Sequence, residues 1–136
     1  MNNIDVVFNN KVNKKLEIDF KLLQMIILYH SLVPHNNKKF STVVRELFSE
    51  GYSMLEELET IPCIPVLYQE YISQNKYPLT VKIEKVIYES ILYKSKTRGF
   101  NMYKFSYVIY VAIYIATMTR LKKEFGSYFM KFYEYF

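Results

Sequence analysis

The chain changes hydrophobic period twice, in the same order each time. From Lys11 to Phe20 apolar and polar residues alternate: Val12, Leu16, Ile18 and Phe20 fall on one side, and Lys11, Asn13, Lys15, Glu17 and Asp19 on the other. A period of two is that of a half-buried strand. Over residues 22–33 the spacing becomes helical, through Leu22, Leu23, Met25, Ile26, Tyr29 and Val33. Pro34 stops that helix, and His35-Asn36-Asn37-Lys38 makes a polar loop. Ser41 then reads as the N-cap of a second helix that carries Val44, Leu47, Phe48, Tyr52 and Leu55 at helical spacing.

The second pass begins at Leu79-Thr80-Val81-Lys82-Ile83, another alternating stretch. A helix follows from Val86 to Lys96, then a loop at Arg98-Gly99-Phe100-Asn101, then a long helix capped by Ser106 and running to about Glu124. The centre of that last helix is apolar all round, which places it in the core. Words recur as well as periods. Ile27-Leu28-Tyr29-His30-Ser31 returns as Ile91-Leu92-Tyr93-Lys94-Ser95, and Lys39-Phe40-Ser41-Thr42-Val43-Val44 as Lys104-Phe105-Ser106-Tyr107-Val108-Ile109, at offsets of 64 and 65 residues. One strand-helix-helix unit used twice explains this, and neither copy then needs to bury its apolar face alone. Chance repetition in a chain with 14 Tyr and many Lys, Ile and Leu is the alternative.

The expected organisation is one compact domain over residues 1–136, built from units at about 11–58 and 77–120, with a linker at 59–76 and an aromatic tail at 125–136. The linker holds Cys63 and Ile64 between Pro62 and Pro65, and a short helix from Val66 to Ser73. Residues 1–10, with Val6-Val7-Phe8, read as an edge strand or a loose arm. Gly51 stands within a helical pattern, where glycine costs about 1 kcal/mol relative to alanine. It marks either a close backbone approach or a C-cap. In the tail, Phe125, Tyr128, Phe129, Phe132, Tyr133 and Phe136 recur at helical spacing. That face either folds back on the core or pairs with another subunit. A membrane-surface helix is disfavoured by the few basic residues, Lys122, Lys123 and Lys131.

Composition narrows the function classes. Hydrophobic residues are 51% of 136, enough for a core, and three Gly and four Pro leave little room for a many-turned β fold. His30, His35 and the single Cys63 form no zinc spacing and no disulfide framework. There is no Gly-rich phosphate loop, no Gly-x-Ser-x-Gly and no paired His/carboxylate cluster, so no enzyme and no cofactor is expected. The N-terminus lacks a signal-peptide pattern and the apolar run from Val108 to Met118 is too short to span a bilayer, so the expected location is cytoplasmic. Net charge is +5 and uneven: residues 1–75 carry 7 Lys/Arg and 9 Asp/Glu, and residues 76–136 carry 11 and 4. The basic half suits an anionic partner, or simply solubility.

Lys14-Lys15-Leu16-Glu17-Ile18-Asp19-Phe20, a helix, and then Phe40-Ser41-Thr42-Val43-Val44-Arg45-Glu46-Leu47-Phe48 resemble the ribbon-helix-helix (Arc/MetJ-like) DNA-binding family. The resemblance implies a mainly α fold in which tandem strand-helix-helix units form a pseudo-dimer with a short two-stranded antiparallel ribbon. Leu16–Phe20 would pair with Leu79–Ile83, and the ribbon would enter the major groove of double-stranded DNA. Carried over, the groove-facing residues are Lys11, Asn13, Lys15 and Glu17 from one strand, and Thr80, Lys82 and Glu84 from the other. Ser41 and Ser106 would offer helix N-termini to phosphates, with Lys38, Lys39 and Lys104 beside them. Asp19 and Glu84 depart from the pattern as carboxylates toward a phosphate-lined groove. The implied roles are transcriptional repression, partition or transfer functions of a plasmid, virus or other small replicon; apart from the resemblance, the spacing of the aromatic tail leaves homo-oligomer formation through it as one of the two expectations above. The competing resemblance, from composition and length, is to virus-encoded all-helical Bcl-2-like proteins that bind a partner helix in a groove.

Overall fold

A computed structural model describes residues 11–32, 37–57, 76–97 and 105–126. The linker with Cys63, the loops holding Pro34, His35 and Arg98, residues 1–10, Lys104 and the tail beyond Gly126 lie outside the described residues. Among the described residues six elements follow in order: β1 (Lys11–Asp19), α1 (Phe20–Leu32), α2 (Phe40–Glu56), β2 (Lys76–Glu84), α3 (Lys85–Thr97) and α4 (Phe105–Phe125). Over the described residues the fold is mostly helical, with one two-stranded antiparallel sheet. That ribbon has no place in the all-helical alternative.

Strand, helix, helix therefore occurs twice. Each element of the second set begins 65 residues after its counterpart: 11 and 76, 20 and 85, 40 and 105. The paired strands are 9 residues each and the first helices 13 each, while the last helices are 17 and 21. The Tyr29 and Tyr93 words, offset by 64, are thus one residue out of step with the elements; Ile26 is the positional counterpart of Ile91.

β1 pairs with β2 from Lys11↔Glu84 through Lys15↔Thr80 to Asp19↔Lys76. The segment opposite Leu79–Ile83 is 12–16, not the expected 16–20, because the strand gives way to a helix at Phe20. Alternation puts Leu16, Ile18, Leu79, Val81 and Ile83 on the buried face of the ribbon. α2 packs on β2 and, most extensively, on α4, while α1 packs against α4. α4 is buried on every side from Tyr107 to Tyr114, which accounts for the lack of a polar face in that stretch.

Gly51 explains how α2 and α4 approach so closely. A Cβ there would sit 1.7 Å from the backbone oxygen of Ala112. Glycine is required by the neighbouring backbone, and the helix runs through it to Glu56. At the other end of α4, Gly126 takes φ +57° and its N–H donates to the Lys122 carbonyl at 2.8 Å. This is a left-handed C-terminal cap.

Three assignments need correction. Ser41 is not a cap: the N-cap of α2 is Lys39, with no side-chain cap hydrogen bond, and Ser41 is the second residue of the helix. Ser106 likewise stands second in α4. Asp19, expected on the outward face, is 5% exposed and accepts a 2.6 Å hydrogen bond from the Tyr110 hydroxyl. At the junction between strand and helix the alternation breaks, so Asp19 turns inward and Phe20 is the residue left exposed, at 48%.

Candidate nucleic-acid interface

The outward face of the ribbon is built by the same alternation that fills its inner face. Lys11, Asn13, Lys15 and Glu17 of β1 are exposed, and so are Pro78, Thr80, Lys82 and Glu84 of β2. The ladder places them as opposed pairs: Lys11 by Glu84, Asn13 by Lys82, Lys15 by Thr80 and Glu17 by Pro78. All seven residues expected at a groove therefore lie on one continuous solvent face. Three lysines against two carboxylates leave it weakly cationic. Amide, hydroxyl and ammonium donors are spread along it, and no large apolar residue interrupts the four pairs.

Lys15 and Thr80 are separated by 65 residues, the offset of the elements, and they oppose one another directly. The register is consequently symmetric about that pair: position 15+n of β1 opposes position 80−n of β2. Two copies of a strand related by a local two-fold axis must pair in this way, with the axis through the pair of equivalent residues.

The loop before α2 is tied down. His30 Nε2 donates to the Lys38 carbonyl at 2.9 Å, and its ring meets Phe40 edge-on at 5.6 Å between centroids. His30 is thus a structural residue that positions the start of α2. Lys38, expected to reach a phosphate, is bound by Glu46, with Nζ 3.0 and 2.8 Å from its two carboxylate oxygens. Lys39 and Ser41 are exposed at the same helix end and Ser106 is half-buried at the start of α4.

Beside this lies a cleft of about 320 Å3 lined by Tyr29, Lys38, Glu46, Glu50 and Arg120 among others. Its charges are mutually paired: Arg120 Nε donates to Glu50 at 2.9 Å, and that hydrogen bond holds the guanidinium pKa above its ordinary value. Burial raises the Tyr29 hydroxyl above its ordinary 10.0, opposed by the nearby Arg120 and assisted by Glu50. Exposed pairs of this kind contribute on the order of 0–1 kcal/mol each, so the cleft is a clasp between α1, α2 and α4. Among the described residues no group of His, Cys, Asp or Glu is arranged to hold a metal ion. None of the described helices is long and apolar enough to cross a membrane.

The exposed strand residues were legible in the sequence, because a period of two assigns faces directly. The Lys38–Glu46 pair was missed, since it joins a loop to the following helix across 8 residues; its only sequence signal is a Lys before the helix and a Glu in its second turn. No family model, curated protein or solved structure matches the chain, so the functional reading rests on its own geometry.

Proposed function

We propose that the chain is a non-enzymatic double-stranded-DNA-binding protein of ribbon-helix-helix type, a single-chain pseudo-dimer that sets its β1–β2 ribbon into the major groove. The observation that carries this reading is the pairing of two strands from one chain into a ribbon whose outward face is wholly polar apart from Pro78. A major groove about 12 Å wide admits a two-stranded ribbon. Lys11, Lys15 and Lys82 supply cations, Asn13 supplies an amide that pairs with adenine edges, and Thr80 supplies a methyl for thymine and a hydroxyl. Lys39, exposed where α2 begins, is better placed for a phosphate than Lys38, which Glu46 engages. Repression, partition or transfer in a small replicon are the roles such binding serves.

Fluorescence anisotropy with labelled duplex DNA tests the reading. Binding is expected to weaken linearly in log salt, with a slope of about −0.9 per phosphate contacted. K15A/K82A should weaken binding about tenfold or more and alter sequence preference, whereas K38A should change affinity little. Absence of duplex binding at low salt and micromolar protein would overturn the proposal.

A further inference from the structure

Resting on that reading, we infer that the duplex site is non-palindromic, because the two ends of the ribbon present different chemistry to the groove. The register makes Lys15 and Thr80 the centre, and the 65-residue offset makes Asn13 the counterpart of Pro78 and Glu17 the counterpart of Lys82. At one end Asn13 and Lys82 stand opposite each other and both are exposed. They are donors that suit purine edges: the amide pairs with adenine, the ammonium with guanine O6 and N7. At the other end Glu17 faces Pro78. There a carboxylate accepts only from a donor such as the cytosine amino group, and proline offers neither donor nor acceptor side chain.

A palindromic site would present the same edges to both ends. Purine edges that satisfy Asn13 and Lys82 in one half would set guanine O6 and N7 against the Glu17 carboxylate in the other. Acceptor against acceptor is repulsive, and a mismatched base pair generally costs about fivefold or more in affinity. The centre differs too, since Lys15 and Thr80 are unlike side chains at equivalent positions. A chain that carries both strands is free to diverge in this way, whereas two identical chains related by a two-fold axis would have to present two identical ends.

The experiment is selection of bound duplexes from a randomised double-stranded library by the full chain, followed by sequencing, in parallel with E17K and N13A. The expected consensus is asymmetric, with purine preference confined to one half. E17K restores a lysine at the position equivalent to Lys82 and should shift the consensus toward symmetry, raising affinity for a palindrome built from the purine half by about fivefold or more. N13A should erase preference in that half alone. A palindromic consensus for the unmodified chain, or an unchanged consensus for E17K, overturns the inference while leaving DNA binding intact. Failure to enrich any duplex overturns the DNA-binding reading itself and this inference with it.

Discussion

The two first helices, α1 and α3, have equal lengths and equivalent places in their units, yet one is embedded and the other is not. α1 buries Leu22, Met25, Ile26 and Tyr29. Their counterparts in α3 are Ile87, Ser90, Ile91 and Lys94, of which only Ile91 is buried. Val86 is 77% exposed and Tyr93 66%. Where Met25 and Tyr29 fill the core of the first unit, Ser90 and Lys94 meet Tyr52 of α2 through polar contacts. Ser90 Oγ lies 3.1 Å from the Tyr52 hydroxyl, and Lys94 Nζ donates to that hydroxyl at 3.3 Å and stands 5.2 Å from the ring centroid. With polar residues at two of these four places, α3 is held by Ile91 together with hydrogen bonds and a cation–π contact, where α1 is held by apolar packing. The last helices differ in the opposite sense, since α2 keeps a polar face along its length and α4, from Tyr107 to Tyr114, does not. The units have divided the work: α1, α2 and α4 with the inner face of the ribbon make the core, and α3 completes its edge.

Breaking the shared seam should have the largest effect. Gly51→Ala puts a Cβ against the Ala112 backbone oxygen, a collision no side-chain rotation relieves. In an isolated helix the same change gains about 1 kcal/mol; here a loss of about 3 kcal/mol or more is expected, at the upper end of overpacking costs. Urea unfolding followed by circular dichroism measures it, and a gain would mean that α2 and α4 do not touch there.

Ile26 and Ile91 are both 0% exposed and equivalent in position, so truncating each probes the comparison directly. Ile26→Ala should cost toward the top of the usual range of about 2–5 kcal/mol, and Ile91→Ala toward the bottom, because the loosely held α3 can settle into the space. Equal costs would remove the distinction between the helices. A similar contrast holds at the strand ends. Asp19→Ala deprives the buried Tyr110 hydroxyl of its Asp19 acceptor and should cost about 1–3 kcal/mol. Glu84→Ala, at the exposed counterpart, should stay within about 0.5 kcal/mol.

The smallest effect is a pH dependence at Tyr29. Burial lifts the Tyr29 hydroxyl above 10.0, so in alkali the unfolded chain loses that proton first. The stability this group contributes is complete below its ordinary pKa and is lost as pH rises through the folded value. Tyr29→Phe should therefore flatten the fall in melting temperature above pH 10. The second unit has Lys94, not a tyrosine, at the equivalent place. An unchanged alkaline profile would contradict the assignment.

What the sequence made legible was whatever depends on a period. Alternation assigned the exposed residues of both strands, and helical spacing found all four described helices to within a few residues. What it could not place was set by neighbours distant in the chain. Asp19 was assigned outward because nothing local reveals that Tyr110, 91 residues later, donates to it. Ser41 was taken for a cap because serine is a good one, although the helix starts a residue earlier at Phe40. Gly51 was read correctly as an unusual helical glycine, and only the α4 backbone says why. At the site, the outward faces were readable, whereas the engagement of Lys38 by Glu46 was not.

The central claim is that one chain supplies both strands of the ribbon in a single register, and cross-linking tests it most directly. Opposed residues in an antiparallel pair lie about 4.5–5.5 Å apart at Cα, within the range of about 4.4–6.8 Å that a disulfide spans. Lys15 and Thr80 are opposed at the centre, on the exposed face. The variant K15C/T80C, in a C63S background, is oxidised and run on a non-reducing gel, with its intact mass measured. The account predicts a monomer that migrates faster than the reduced form and is lighter by two hydrogens, formed equally well on dilution. Cross-linked dimers that vanish on dilution, or two thiols that stay free under oxidation, would contradict it.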